Sequence, residues 1–558
     1  MKPMITKLAL MKTRLLLSAK VASATKVASA TKVAAATMVA VASLAATAHA
    51  AAPGITSSPG GASRFNLTAQ SAFLNQPDGA SVYSWGYGCV SAPPSGSFVP
   101  AGMPSAFCST MQVPGPTLVV TEGQTVTVSL TNNLPTSAGN TSMIFAGLRA
   151  AGSGGVQGLL AREAVPGGSV TYTFIATTPG THSYYSGTQS DLQVEMGMYG
   201  AVIVLPKTVP AACTTGLHAS NKSVESAHGE ADWRLAAAAY DHDKSCYDRE
   251  YLFQFSEMDP HIHTAALNQV NAKGNCTAGA VGCTLEVPTE PYHPTYYLIN
   301  GRSMPDDMDP NYDTPYPHQP YNGNPHMHPG ELVLLRIIGQ GRWQHPFHEH
   351  ANHVRILARD ANLILSSSNA EDLAGAPLFT TTTTPGETMD GIFYFTGRGL
   401  NWDMYGHHSG DISDANASLP CYPDANGYYT TQSSPAAPVS AINYYEWCQD
   451  HNKPLEVAPV GDVGSGGPAT LPNPLILSTG PWYGGSPYLG DDATTRAVGP
   501  NTNIPPSGTQ ANPAGERGFA FMWHSHNERE ITTNNVFPGG MLMMMLVDSR
   551  EFVIDESL

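Results

Sequence analysis

The feature that most restricts the fold of this chain is an order of segments that occurs twice. The first pass runs through residues 123–133, 141–147, 165–187 and 196–204. The second runs through 330–340, 345–353, 384–399, 518–526 and 538–547. In the first pass, apolar and polar residues alternate strictly along 125–130 and 169–174, the period of a half-buried strand. Their counterparts at 331–338 and 388–395 are more continuously apolar, as strands buried on both faces are. Glycine (54) and proline (45) are abundant and charged residues make up only 13%, a composition that favours short strands and frequent turns over long helices. At 558 residues the chain is too long for one hydrophobic core. Two copies of one β-domain account for all of this: an all-β protein with a first domain at 51–207 and a second at 208–399 plus 516–558. A Gly/Pro/Ser/Asn-rich stretch at 400–515 interrupts the second copy and reads as a long loop insertion.

Residues 1–50 carry Lys2, Lys7, Lys12, Arg14, Lys20, Lys26 and Lys32, no acidic residue, an apolar stretch at 33–46, and then Ala48-His49-Ala50. Positive, apolar and small-residue regions in that order make a secretory signal peptide cut after Ala50. Its apolar run is broken by Ser and Thr and falls short of the roughly 20 residues a membrane span needs. The expected location is therefore secreted, periplasmic or extracellular, with no membrane insertion. Formal charge is −17 over the whole chain, and the mature part, without its basic leader, is more acidic still. Such a surface repels nucleic acid and anionic lipid and excludes both as partners. Cysteines at 89, 108, 213, 246, 276, 283, 421 and 448 all lie in the mature part; an even number in an oxidising compartment predicts disulfides, with sequential pairing the simplest scheme.

Histidine carries the chemistry. Around the second domain's middle strand stand His345, His348, His350 and His353, and near the C-terminus His524 and His526 flank Ser525. Residues i and i+2 of a strand point to one side, so each His-x-His aims two imidazoles at one place. Two such pairs on neighbouring strands supply four nitrogen donors, enough for a copper or zinc ion. The pairs His261/His263 and His326/His328 lack that repeat context and read as turn or surface histidines, as does His407/His408 in the insertion. Glu528 and Glu530 would share the face of His524 and His526 if the strand ran so far, with Glu349 between His348 and His350; the plainer expectation is that Glu528 and Glu530 are solvated or pair with Arg529 or Arg342. Met541, Met543, Met544 and Met545 read chiefly as core.

The run from His345 to His353, the segments 248–255, 294–303, 385–395 and 197–204, and the glycine-methionine ending resemble the multicopper oxidases. The resemblance implies cupredoxin domains, which are Greek-key β-sandwiches, and copper as the cofactor. It would make His345 a ligand of the electron-accepting type 1 copper, but Ser525 stands where that site's thiolate belongs and Glu530 where its further histidine belongs. A hard hydroxyl oxygen cannot replace a soft thiolate, so no blue centre is expected. The family's three-copper cluster draws half of its histidines from the first domain, where Ile144, Ala146, Tyr185 and Gly187 occupy the ligand places. Four-electron reduction of oxygen by the family's mechanism therefore lacks both its electron entry point and half of its reaction centre.

The expected metal residues are thus His345, His348, His350, His524 and His526, with one copper ion and with zinc or manganese as alternatives; no catalytic residue is assigned. Partners would be a metal ion or a small reductant, and the resemblance also implies assembly as a homotrimer. Two functions stay open: a copper-binding protein that is also a non-blue oxidoreductase, or an inactive structural or cell-surface protein that kept the sandwich.

Overall fold

The computed structural model describes residues 51–58, 61–328, 331–395, 422–423, 429–430, 485–488, 518–548 and 554–556. The leader, His407/His408, Cys421, Cys448 and most of the insertion lie outside them. Among the described residues no helix is long and apolar enough to cross a membrane.

The chain forms the two β-sandwiches expected. In the first, one sheet runs in the order Phe98–Val99, Gly54–Ile55, Leu118–Thr121, Tyr199–Leu205, Gly180–Tyr185, Ile144–Phe145. The facing sheet runs Ser81–Cys89, Arg64–Asn75, Thr125–Asn132, Ser169–Ile175, Ala151–Gly154. Alternation does what it predicts there: Val126, Val128 and Leu130 face Val170, Tyr172 and Phe174 in the core while the residues between them stay outside. The second sandwich pairs the sheet Tyr296–Ile299, Arg249–Met258, Leu332–Gly339, Thr388–Tyr394, Val354–Arg359, Asn362–Leu363 with the sheet His326–Met327, Leu542–Asp548, Gly518–Ser525, His345–Glu349, Thr380–Thr383.

The repeat is visible in the pairing itself. In the first sandwich Tyr199–Leu205 runs parallel to Leu118–Thr121 and antiparallel to Gly180–Tyr185, which pairs with Ile144–Phe145. In the second, Leu542–Asp548 runs parallel to His326–Met327 and antiparallel to Gly518–Ser525, which pairs with His345–Glu349. Gly485–Tyr488, from within the insertion, pairs with residues 518–521 on the same edge of Gly518–Ser525 that carries His345–Glu349.

Leu332–Gly339 and Thr388–Tyr394 are buried nearly throughout because the first sandwich lies against one end of their outer face and residues 237–248 cover part of the rest. Val119, Ala201 and Ile203 meet Leu252 and Ile338 in one apolar cluster. Beside it the Thr181 N–H and hydroxyl donate to Asp390, at 3.1 and 2.5 Å, and Arg336, fully buried, donates to Glu250 at 2.9 Å. A buried ion pair of this kind fixes geometry more than it adds stability.

Cys89–Cys108, Cys213–Cys246 and Cys276–Cys283 are disulfides, pairing in sequence order. Two histidine pairs depart in part from expectation. His261 and His263 lie on the helix Pro260–Lys273, which Asp259 caps by accepting from the His261 N–H at 2.9 Å. Residues i and i+2 of a helix do not share a face, and His263 is buried against the carbonyls of Tyr83 (2.6 Å) and Glu195 (3.1 Å). His326 and His328 are also buried, and His328 meets Glu230 at 2.7 Å. His263, His326 and His328 are internal polar anchors, whereas His261 is exposed, as expected of a surface histidine.

Candidate metal centre

The site is set by strand parity. Along His345–Glu349 and Gly518–Ser525 the register pairs Phe347 with Ser525, His348 with His524 and Glu349 with Trp523. Phe347 and Trp523 turn inward and pack edge to face at 6.1 Å, with Phe393 against Trp523 at 4.9 Å. Burying aromatic groups of that size is worth roughly 1.5–3 kcal/mol each, and it forces their neighbours the other way. His348, His350, His524 and His526 therefore gather on the outer side of the sheet, with ring centroids 4.6 to 5.6 Å apart over five of their six pairings.

Within this quartet the Nε2 atoms of His350 and His524 are 3.1 Å apart. Two ligands on one ion at ~2.0–2.1 Å have about that separation. The other nitrogen of His524 donates to the Ser525 carbonyl at 2.8 Å, which leaves the Nε2 lone pair directed at His350. His348 Nδ1 is tied to the Thr380 hydroxyl at 2.7 Å. Partial burial, reinforced by the surrounding imidazoles, depresses His348 to about 4, and burial lowers His524 as well. Both are neutral at pH 7, the form a metal requires. His526 is exposed, 3.4 Å from Glu528. Among the described residues no three histidine, cysteine or carboxylate side chains are already gathered closely enough to hold a metal ion. His350 and His524 form a ready pair, and His348 and His526 flank it at ring-contact distance.

His345 has the opposite parity and is not part of this group. It points inward, fully buried, with Nδ1 2.9 Å from Glu530 and Nε2 3.0 Å from Glu257. Burial alone would lower its pKa, but the two carboxylates outweigh burial and raise it to about 9, so it is an imidazolium at neutral pH. Both ring nitrogens are committed to carboxylates, which corrects the expectation that His345 is a metal ligand. Ser525 shares this inner side and donates to Glu530, whose other oxygen accepts from Asn527 Nδ2 at 2.8 Å. Glu257 also accepts from the Arg342 and Trp343 N–H groups at 2.7 and 2.8 Å and from Tyr292 at 3.1 Å. A histidine clamped between two carboxylates thus stands where the resemblance puts a copper ligand.

The glutamates also fall differently from expectation. The strand stops at Ser525, so Glu530 lies on the far side of the turn and is fully buried instead of solvated, while Glu528 stays exposed. Arg342 pairs with Glu290, and Arg529 donates to the Tyr297 hydroxyl. Glu349 points inward, accepts from Thr381 at 2.8 Å, and is pushed up to about 8 by burial, away from the imidazoles on either side of it. Met541, Met543 and Met545 are core. Glu257 and Thr380 were not anticipated; an acidic residue in the apolar run 249–258 was the one available signal for the former.

Residues 100–209, covering most of the first sandwich, match a family model described as multicopper oxidase. Over this stretch the chain is similar to the multicopper oxidases. Among curated proteins it is 37% identical over 99 residues to a multicopper oxidase of Talaromyces pinophilus, a match covering 17% of this chain and 16% of that protein. It is 35% identical over 96 residues to an L-ascorbate oxidase of Brassica rapa subsp. pekinensis, again 17% and 16%. The matched stretch is thus about one sixth of the length of these relatives. Among solved structures, the blue copper oxidase from Nitrosomonas europaea aligns over 86% of this chain and 85% of its own, at 15% identity and a TM-score of 0.41. The multicopper oxidase mgLAC aligns over 87% and 85%, at 16% identity and a TM-score of 0.40. The family match falls on the half of the chain whose ligand places hold Ile144, Ala146, Tyr185 and Gly187.

Proposed function

We propose that this is an exported protein of the multicopper oxidase family that binds one copper ion at His348, His350, His524 and His526, as a mononuclear, non-blue centre. The observation that carries this is the 3.1 Å approach of the His350 and His524 Nε2 atoms, with His524 oriented through Nδ1 and His348 tied to Thr380. Bound copper would supply one-electron redox chemistry with a small reductant; the chain's part is to hold neutral imidazoles at the lip of a rigid sheet. No thiolate is available on the inner side, where Ser525, His345 and Glu530 satisfy one another.

Copper titration with elemental analysis tests this. One equivalent should bind to the wild-type protein and none to a His348→Ala/His524→Ala double variant. Uptake of zinc or manganese in preference to copper would reassign the metal. Oxidation of a small reductant by the loaded protein, absent from the double variant, would make it an oxidoreductase.

A second reading, an inactive structural or cell-surface protein, is favoured by one observation: among the described residues, no three of these donors are already converged. Under that reading neither protein takes up metal. Light scattering tests the trimer, and N-terminal sequencing of exported protein, expected to begin at Ala51, tests the leader and the location.

A further inference from the structure

Far from the histidines, the outer face of the second sandwich's first sheet carries a cavity of about 470 Å³. Its floor is set by register. Leu332 pairs with Tyr394, and Arg355 pairs with Ile392. Two covers close over this face: residues 237–248, held by the Cys213–Cys246 disulfide, and the excursion that carries Leu363 and Leu373. They meet at the rim, where Lys244 pairs with Asp372 and His242 Nε2 approaches the Ala370 carbonyl at 3.3 Å.

The covers do not fill the space between them. Leu357, Leu373, Ile392 and Tyr394 line it, and among the described residues three charged side chains, Lys244, Arg355 and Asp372, reach it. Lys244 and Asp372 neutralise each other. Arg355 is exposed and, among the described residues, donates only to the Gly375 carbonyl, at 2.9 Å, leaving most of its guanidinium fork without a protein partner. Among the described residues one uncompensated cation therefore stands over an apolar floor, on a chain whose overall charge is −17.

We propose that this cavity binds a small amphipathic organic monoanion, with its apolar body on the leucines, Ile392 and Tyr394 and its carboxylate or sulfonate on Arg355. The size falls within the roughly 300–1,000 Å³ of small-molecule sites, which are mostly apolar with a few polar groups fixing orientation. A guanidinium offers an oxyanion two parallel donors. The rim ion pair is about half exposed, so it opens at little cost.

The test is a fluorescence titration of the full-length protein with 8-anilinonaphthalene-1-sulfonate, whose aromatic body and single sulfonate match the site, alongside neutral N-phenylnaphthylamine. The sulfonate should bind at one saturable site and more tightly than the neutral compound. Arg355→Gln should weaken it roughly tenfold, the loss of one charge-assisted contact, while Arg355→Lys retains most of the affinity. Leu373→Glu should abolish binding, and His348→Ala should leave it unchanged. Non-saturable binding, or equal affinity in wild type and Arg355→Gln, overturns the proposal. Arg355 is exposed, so its variants report even if Leu373→Glu does not fold.

Discussion

The two sandwiches meet the same structural problem at the same register and answer it with different chemistry. In the second, His348 on the middle strand stands opposite His524. In the first, Ile144 stands opposite Tyr185 in the equivalent pair of strands. Parity puts all four on the outer side of their sheets, so the backbone offers the same position twice and fills it with imidazoles once. The first site is also narrower: a Cβ on Gly187, the counterpart of His526, would lie 2.6 Å from the Ile144 Cδ1, so a side chain there requires Ile144 to move. A cupredoxin sheet thus supplies aim and not ligands.

Removing the quartet should break this contrast most severely. His348→Ala/His524→Ala leaves only His350 and His526 at the second site, and copper affinity, measured by competition with a chelator, should fall by more than roughly 100-fold. Next in size is the inner clamp. Glu257→Ala leaves the buried His345 with one carboxylate and strips the Arg342 and Trp343 N–H groups of their acceptor. Denaturant unfolding should show a loss of about 3–5 kcal/mol, with copper stoichiometry kept at one.

The clamp also has a pH signature. The pKa of His345 is raised to about 9 in the folded chain against about 6.5 unfolded. Its contribution is therefore complete below pH ~6.5 and is lost as pH rises through about 9, on the order of 3 kcal/mol. Unfolding across that window should show the fall in wild type and a flatter profile in Glu257→Gln. The smallest effect sharpens the comparison from the other side. Ile144→His/Tyr185→His places imidazoles at the matching register of the first sandwich, and should add a second, weaker copper equivalent in the same titration. If it adds none, the strands' aim is not sufficient, and the neighbours Ala146 and Gly187 matter as much.

Much of this was legible in the sequence, because it depends on local periodicity. The repeat gave two sandwiches, alternation gave the inner and outer faces, and i, i+2 spacing brought together His348, His350, His524 and His526. The same rule, taken one step further, separates His345 from them, since it lies an odd number of residues from His348. What resemblance suggested for His345 was overridden by parity and by Glu257, which is 88 residues away and is placed against it by sheet pairing. Such partners leave no local trace. His263, expected at a turn or the surface, is buried instead because Asp259 and Pro260 cap and begin a helix there that turns it inward.

The central claim is that the outer quartet holds one copper and the inner, clamped position holds none. Electron paramagnetic resonance on the copper-loaded, full-length protein, with the metal quantified in the same sample, tests it most directly. The account predicts one copper per chain with the wide hyperfine splitting of a nitrogen-ligated type 2 centre and no blue absorption. A narrow-splitting blue signal, or copper retained in His348→Ala/His524→Ala, would contradict it.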